Sequence, residues 1–206
     1  MKKTTYLFAI LVAMSCQQKN SESATTTDTS SVSTPINTEA NDFVPFVGAD
    51  SATVACDSNC VVTYSNYTFK LKTNTDEPGE TITVTDNKTK NTHSLVIKEA
   101  EGAQYFKGLV GNLAIIDAGT GNLRDMAIYD VATQKNIMYF RGIFNQPIIK
   151  NKQMTFAQTM DEVKVKSLKL PACKNDNLEW SGYTESLIFD FATKKPINTL
   201  KYTCVK

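Results

Sequence analysis

The stretch NLAIIDAGTGNLRDMAIYDVATQKNIMYFRG, from Asn112 to Gly142, decides the fold class. It holds two apolar runs, each followed by the phrase D-x-x-T: Asp117 to Thr120, then Asp130 to Thr133. The phrase recurs as Asp86 to Thr89 and Asp190 to Thr193, again directly behind β-rich runs. An Asp opening a tight turn accepts backbone N–H bonds from residues two and three further on, and the Thr then resumes the extended strand. Four copies predict a repeated hairpin. The spacing is uneven, 44 residues from Asp86 to Asp130 and 60 from Asp130 to Asp190 (130 − 86 and 190 − 130), so the expected repeat is loose.

Outward from this centre the chain reads as strands. In VVTYSNYTFKLK, from Val61 to Lys72, the residues Tyr67, Phe69 and Leu71 alternate with Thr68, Lys70 and Lys72, the pattern of a half-buried strand. TDEPGE is a turn by its Pro and Gly, and TITVT with SLVIK makes a hairpin around Asp86. AQYFKGLVG and NLAIID follow; the second is apolar on both faces and reads as a central strand. MAIYD pairs with NIMYF across VATQK, and ESLIFDF with INTLKYTCV across ATKKP. Only MTFAQTMDEVKV carries a helical stripe, through Met154, Ala157, Met160 and Val163, so at most one short helix is expected. The expected fold is all-β: an antiparallel sandwich, a barrel or a small propeller-like array, since the D-x-x-T hairpins resemble those of propeller repeats.

The start of the chain carries an address. Lys2 and Lys3 lead into an apolar run from Tyr6 to Met14, too short to span a bilayer, so residues 1–15 read as a secretory signal. Ala13, Met14, Ser15 and Cys16 resemble the lipobox of bacterial lipoproteins, with Ala13 where Leu is usual. The resemblance implies acylation of Cys16 and a place in the bacterial cell envelope, expected at the outer membrane on its periplasmic or surface side. Residues 16–42 are rich in Ser and Thr and carry no aromatic residue, too little apolar surface to offset ordering entropy. They read as a tether, spanning roughly 25 to 30 Å as a flexible coil. Residues 43–206 remain as a single domain with room for one substantial core.

Formal net charge is +1 and falls to −1 when Lys2 and Lys3 leave with the signal. With lysines scattered along the chain there is no basic footprint for nucleic acid. Apart from Cys16, the even set Cys56, Cys60, Cys173 and Cys204 predicts two disulfides in an oxidising compartment. Three connectivities are open, and the favoured one joins Cys56 to Cys60 and Cys173 to Cys204. One CxxxC and one His argue against a zinc site, and no metal or cofactor is expected.

The run AIIDAGTGN resembles two catalytic motifs. Asp117, Gly119 and Thr120 match the active-site loop of aspartic proteases, although Ala118 stands where a hydroxyl is usual and no second copy exists. The same run resembles the first phosphate loop of the actin and hexokinase superfamily, which opens far longer two-lobed proteins. A plain turn explains it more simply. Arg124 is a candidate anion-binding residue or the ion-pair partner of Asp117. Trp180 and Tyr183 are candidates for stacking on sugar or peptide, against a core role, and His93 is expected to be solvent-exposed. The leading functional expectation is a lipid-anchored, non-enzymatic β module that binds an envelope protein or glycan. The alternative is a hydrolase using Asp117.

Overall fold

The computed structural model describes residues 43–100, 102–119, 121, 123–173 and 182–205. Cys16, the tether and Trp180 lie outside the described residues. Within them the strands are β1 (Thr53–Cys56), β2 (Cys60–Thr63), β3 (Tyr67–Thr73), β4 (Glu80–Asp86), β5 (Thr92–Leu95), β6 (Gln104–Val110), β7 (Leu113–Ala118), β8 (Arg124–Asp130), β9 (Lys135–Ile143), β10 (Ile148–Lys150), β11 (Gln153–Thr159), β12 (Gly182–Asp190) and β13 (Lys195–Val205), with one helix, α1 (Glu162–Ser167), between β11 and β12. All pairings among them are antiparallel, in a five-stranded sheet, β1 to β5, and an eight-stranded sheet, β6 to β13.

The chain repeats a four-stranded meander three times: β2–β5, β6–β9 and β10–β13. The meanders begin at Cys60, Gln104 and Ile148, 44 residues apart at each step (104 − 60 and 148 − 104). Each ends in a D-x-x-T hairpin built as the sequence predicts. The Asp86 carboxylate accepts from the N–H groups of Lys88 and Thr89, Asp130 from Ala132 and Thr133, and Asp190 from Ala192 and Thr193. The next residue, Lys90, Gln134 or Lys194, takes positive φ in every copy and turns the chain back into the sheet. Each turn also docks on the tight turn beside it: Asn87, Val131 and Phe191 donate their N–H groups to the carbonyls of Asn66, Asn112 and Lys152. The uneven spacing of the phrase comes from the third meander, where α1 and its flanks are inserted between β11 and β12.

The meanders are layered face to face, the arrangement of a sandwich with a shared middle layer. Period-two alternation along β7 sends Ala114 and Ile116 into one core with Val62, Phe69, Ile82 and Val84 of the first meander. It sends Leu113 and Ile115 into a second core with Met154, Phe156, Leu187 and Phe189 of the third. Strand β8 divides likewise, Ala127 and Tyr129 against Met126 and Ile128. NLAIID is apolar on both faces because both faces are buried. No closed barrel forms: β6 and β13 end the larger sheet as separate edges.

The helical stripe holds only at its Val163 end. Met154 to Thr159 lie in β11, where Met154 and Phe156 are buried by strand alternation, and the helix starts beyond Met160 with Asp161 as its N-cap, accepting from the Lys164 N–H. Disulfides join Cys56 to Cys60 and Cys173 to Cys204, the favoured connectivity. The first closes the β1–β2 hairpin at its last register pair, and the second ties the loop after α1 to β13. No helix among the described residues is long and apolar enough to cross a membrane.

Candidate functional site

On β7 the residues Leu113, Ile115 and Asp117 share a face, so Asp117 continues an apolar row to the edge of the second core. Its three counterparts are the last residues of their strands, whereas β7 runs on past Asp117 through Ala118, and the Asp117 carboxylate meets Arg124 of β8, Oδ2 to Nη2, at 2.9 Å. Thr120 lies outside the described residues. The fourth copy of the phrase is thus a strand end with an ion pair across the hairpin.

Register brings in residues that the local sequence does not suggest. Tyr105 of β6 is the cross-strand partner of Asp117, and Met126 of β8 is its partner on the other side. The Arg124 guanidinium lies 5.3 Å from the centre of the Tyr105 ring, and Lys107 Nζ lies 5.8 Å from the same ring. Phe46, ahead of β1, is fixed by its N–H to the Lys107 carbonyl at 2.8 Å. The segment between β9 and β10, Phe144 to Pro147, forms the opposite wall, with Asn145 Oδ1 accepting from the Ala157 N–H.

These groups line a cleft of about 280 Å³, apolar below through Phe46, Met126 and Ile143 and charged above through Lys107, Asp117, Arg124 and Asp125. Asp125 is engaged at both oxygens, Oδ2 accepting from the Tyr139 hydroxyl at 2.8 Å and Oδ1 from the Gly142 N–H at 2.9 Å. Those bonds hold the bend at Gly142, whose φ of +64° and contact with Thr159 leave no room for a Cβ. Burial pushes the Asp117 carboxyl above its usual range, and Arg124 and Lys107 pull it only part of the way back. Arg124 Nε is enclosed and has no acceptor. The described lining residues include no His, Cys or Ser. Among the described residues no cluster of three or more His, Cys, Asp or Glu is placed to hold a metal ion.

The other sequence candidates fall elsewhere. Tyr183 is buried, and its hydroxyl donates to the Pro171 carbonyl at 3.0 Å, so its ring serves packing. His93 corrects an expectation: it is half-buried on β5, its ring tilted 6.5 Å from that of Tyr129 and its Nε2 enclosed without a partner. Its inward place follows from register, because its cross-strand partner is the fully buried Val84. Comparison with known proteins found no matching family model, no matching curated protein and no matching solved structure.

Proposed function

We propose that the chain is a lipid-anchored protein of the bacterial cell envelope, acylated at Cys16, whose β domain is a non-enzymatic binding module with the Asp117–Arg124 cleft as its ligand-contacting site. The tether of residues 16–42 holds the domain off the lipid surface and lets it reach an envelope protein or glycan. One observation carries the choice of binding over hydrolysis: both carboxylates of the cleft are committed, Asp117 to Arg124 and Asp125 to Tyr139 and the Gly142 N–H. An aspartic-protease mechanism needs two carboxylates sharing one proton and a water. An Asp held by a guanidinium makes a poor member of such a pair.

The raised pKa of Asp117 is the observation that favours the hydrolase alternative, and it is accounted for by burial at the rim of an apolar core. The two readings separate in a digest. Full-length protein is incubated with a mixed peptide library at acid and neutral pH, and new termini are counted by mass spectrometry. The binding reading expects none above the level of an Asp117→Asn sample. Cleavage present in the wild type and lost in Asp117→Asn would establish the hydrolase.

A further inference from the structure

The polar groups of the cleft are out of balance. Of the five N–H donors of Arg124, one nitrogen, Nη2, meets Asp117, and Nε is enclosed with no acceptor. Lys107 forms no ion pair within 4.0 Å among the described residues, although it shares the Tyr105 ring with Arg124. Formal charge over Lys107, Asp117, Arg124 and Asp125 sums to zero, so long-range attraction does not select a ligand here. Short-range chemistry does, because Asp117 and Asp125 already accept from protein donors, while Arg124 and Lys107 keep donors that no protein carboxylate takes up. The spare donors call for an acceptor from a ligand. A carboxylate satisfies a guanidinium and an ammonium together, with charge-assisted bonds about twice as strong as neutral ones.

Size and lining narrow the occupant. A volume of about 280 Å³ falls just short of the range for ligand pockets, roughly 300 to 1,000 Å³, so the cleft takes the end of a chain and not a whole drug-sized molecule. Beneath the charged rim sit Phe46, Met126 and Ile143, with Phe144 and Pro147 on the wall, so the group next to the carboxylate must be apolar. We infer that the cleft binds the terminal carboxylate of an apolar chain end, held between Arg124 and Lys107. This rests on the binding-module reading and names its ligand class. Asp117 plays a defined part: it holds Arg124 and competes with the incoming carboxylate for the same guanidinium.

The test uses the full chain in detergent and follows binding by isothermal titration with three probes: an N-acetylated tetrapeptide ending in Leu as the free acid, the same peptide as the amide, and hexanoate. The free acid should bind and the amide should bind at least tenfold more weakly. Hexanoate binding tighter than the peptide acid assigns the chain end to an acyl chain, and the reverse assigns it to a polypeptide C-terminus. Arg124→Gln should weaken the acid at least tenfold and Lys107→Gln several-fold. Lys107 is half-exposed, so its variant keeps the fold even if loss of Arg124 does not. Asp117→Asn should tighten binding, because it removes the competing carboxylate, whereas a site in which Asp117 contacts the ligand would lose affinity. Equal binding of acid and amide, no binding of any probe, or unaltered binding in Lys107→Gln overturns the inference. None of these outcomes touches acylation at Cys16 or the digest, so failure here is distinguishable from failure of the binding-module reading.

Discussion

Replacing Asp130 by Ala should destabilise the domain far more than the same change at Asp86, although the two residues open the same turn. Asp86 is only half-buried at the end of β4, and its carboxylate serves the N–H groups of Lys88 and Thr89. Asp130 serves the equivalent pair, Ala132 and Thr133, and also accepts from Asn112 Nδ2 at 2.7 Å and Lys194 Nζ at 2.6 Å. Its side chain is only 2% exposed, and Lys194 reaches it from the D-x-x-T turn of the third meander. The carboxylate thus joins the last turns of two meanders. Hydrogen bonds to a charged group contribute about 1.5 to 3 kcal/mol each in isolation, and they are far from additive when they share one acceptor. Lys194 is 40% exposed and can return to water, while Asn112 and the two amides lose their partner in a half-buried site. The net loss for Asp130→Ala is therefore about 2 to 4 kcal/mol, or a fall in Tm of roughly 5 to 15 °C for a domain of this size. Asp130→Asn keeps the Oδ1 acceptor and should recover about half of it; Lys194→Met should cost no more than about 1 kcal/mol. Urea denaturation of the four variants and the wild type at pH 7 gives the values. If Asp130→Ala costs no more than Asp86→Ala, the junction of the two turns contributes nothing and the reasoning fails.

Cys173→Ser should destabilise more than Cys56→Ser, about 3.5 against about 2 kcal/mol by loop-closure entropy, because the two bridges span 31 and 4 residues; equal denaturation midpoints would contradict this. Gly142→Ala should lower stability by more than 2 kcal/mol, through positive φ and the contact with Thr159, whereas Gly111→Ala meets no atom and should cost about 1 kcal/mol. Acid should act in two windows. Burial lowers the folded pKa of His93, so the stability its neutral form contributes is complete above its unfolded value, about 6.5, and falls away as pH drops below it. The Asp carboxyls follow below about pH 4. Burial alone would raise Asp130, but Lys194 and the Thr133 and Ala132 N–H groups hold it below its ordinary range; Gln153 and the turn amides lower Asp190, and the Thr89 amide lowers Asp86. Their contribution is complete above the unfolded value and is lost as pH falls through the lowered folded values. Denaturation midpoints between pH 7.5 and 3 should show a shallow decline and then a steep one, with only the shallow one absent in His93→Phe.

The hairpins were legible because each is local: alternation in Tyr67 to Lys72, two-faced apolarity in Leu113 to Ile116, and an Asp at the strand end all act within a few residues. What lies between hairpins was not. The 44-residue period is hidden by the insertion carrying α1, and β11 resembles helix in sequence because Met154, Ala157 and Met160 match a three-residue step as well as part of a strand. Asp117 stands out by its motif, but Tyr105 and Lys107 join it only through the β6–β7 register, and Phe46 comes from a segment far upstream. The Asp130–Lys194 pair spans 64 residues and no local pattern announces it. His93 looked exposed among polar neighbours, and only its pairing with Val84 turns it inward.

The central claim is that this β domain works from the end of a lipid anchor. Its most direct test is labelling with a clickable fatty acid in a bacterial host, comparing wild type with Cys16→Ser. The thioether link needs sulfur at position 16, and a serine there cannot take the diacylglyceryl group. Label on the wild type in the membrane fraction, and none on Cys16→Ser, is the expected result. Equal labelling of both proteins, or a wild type secreted normally without label, would contradict the account.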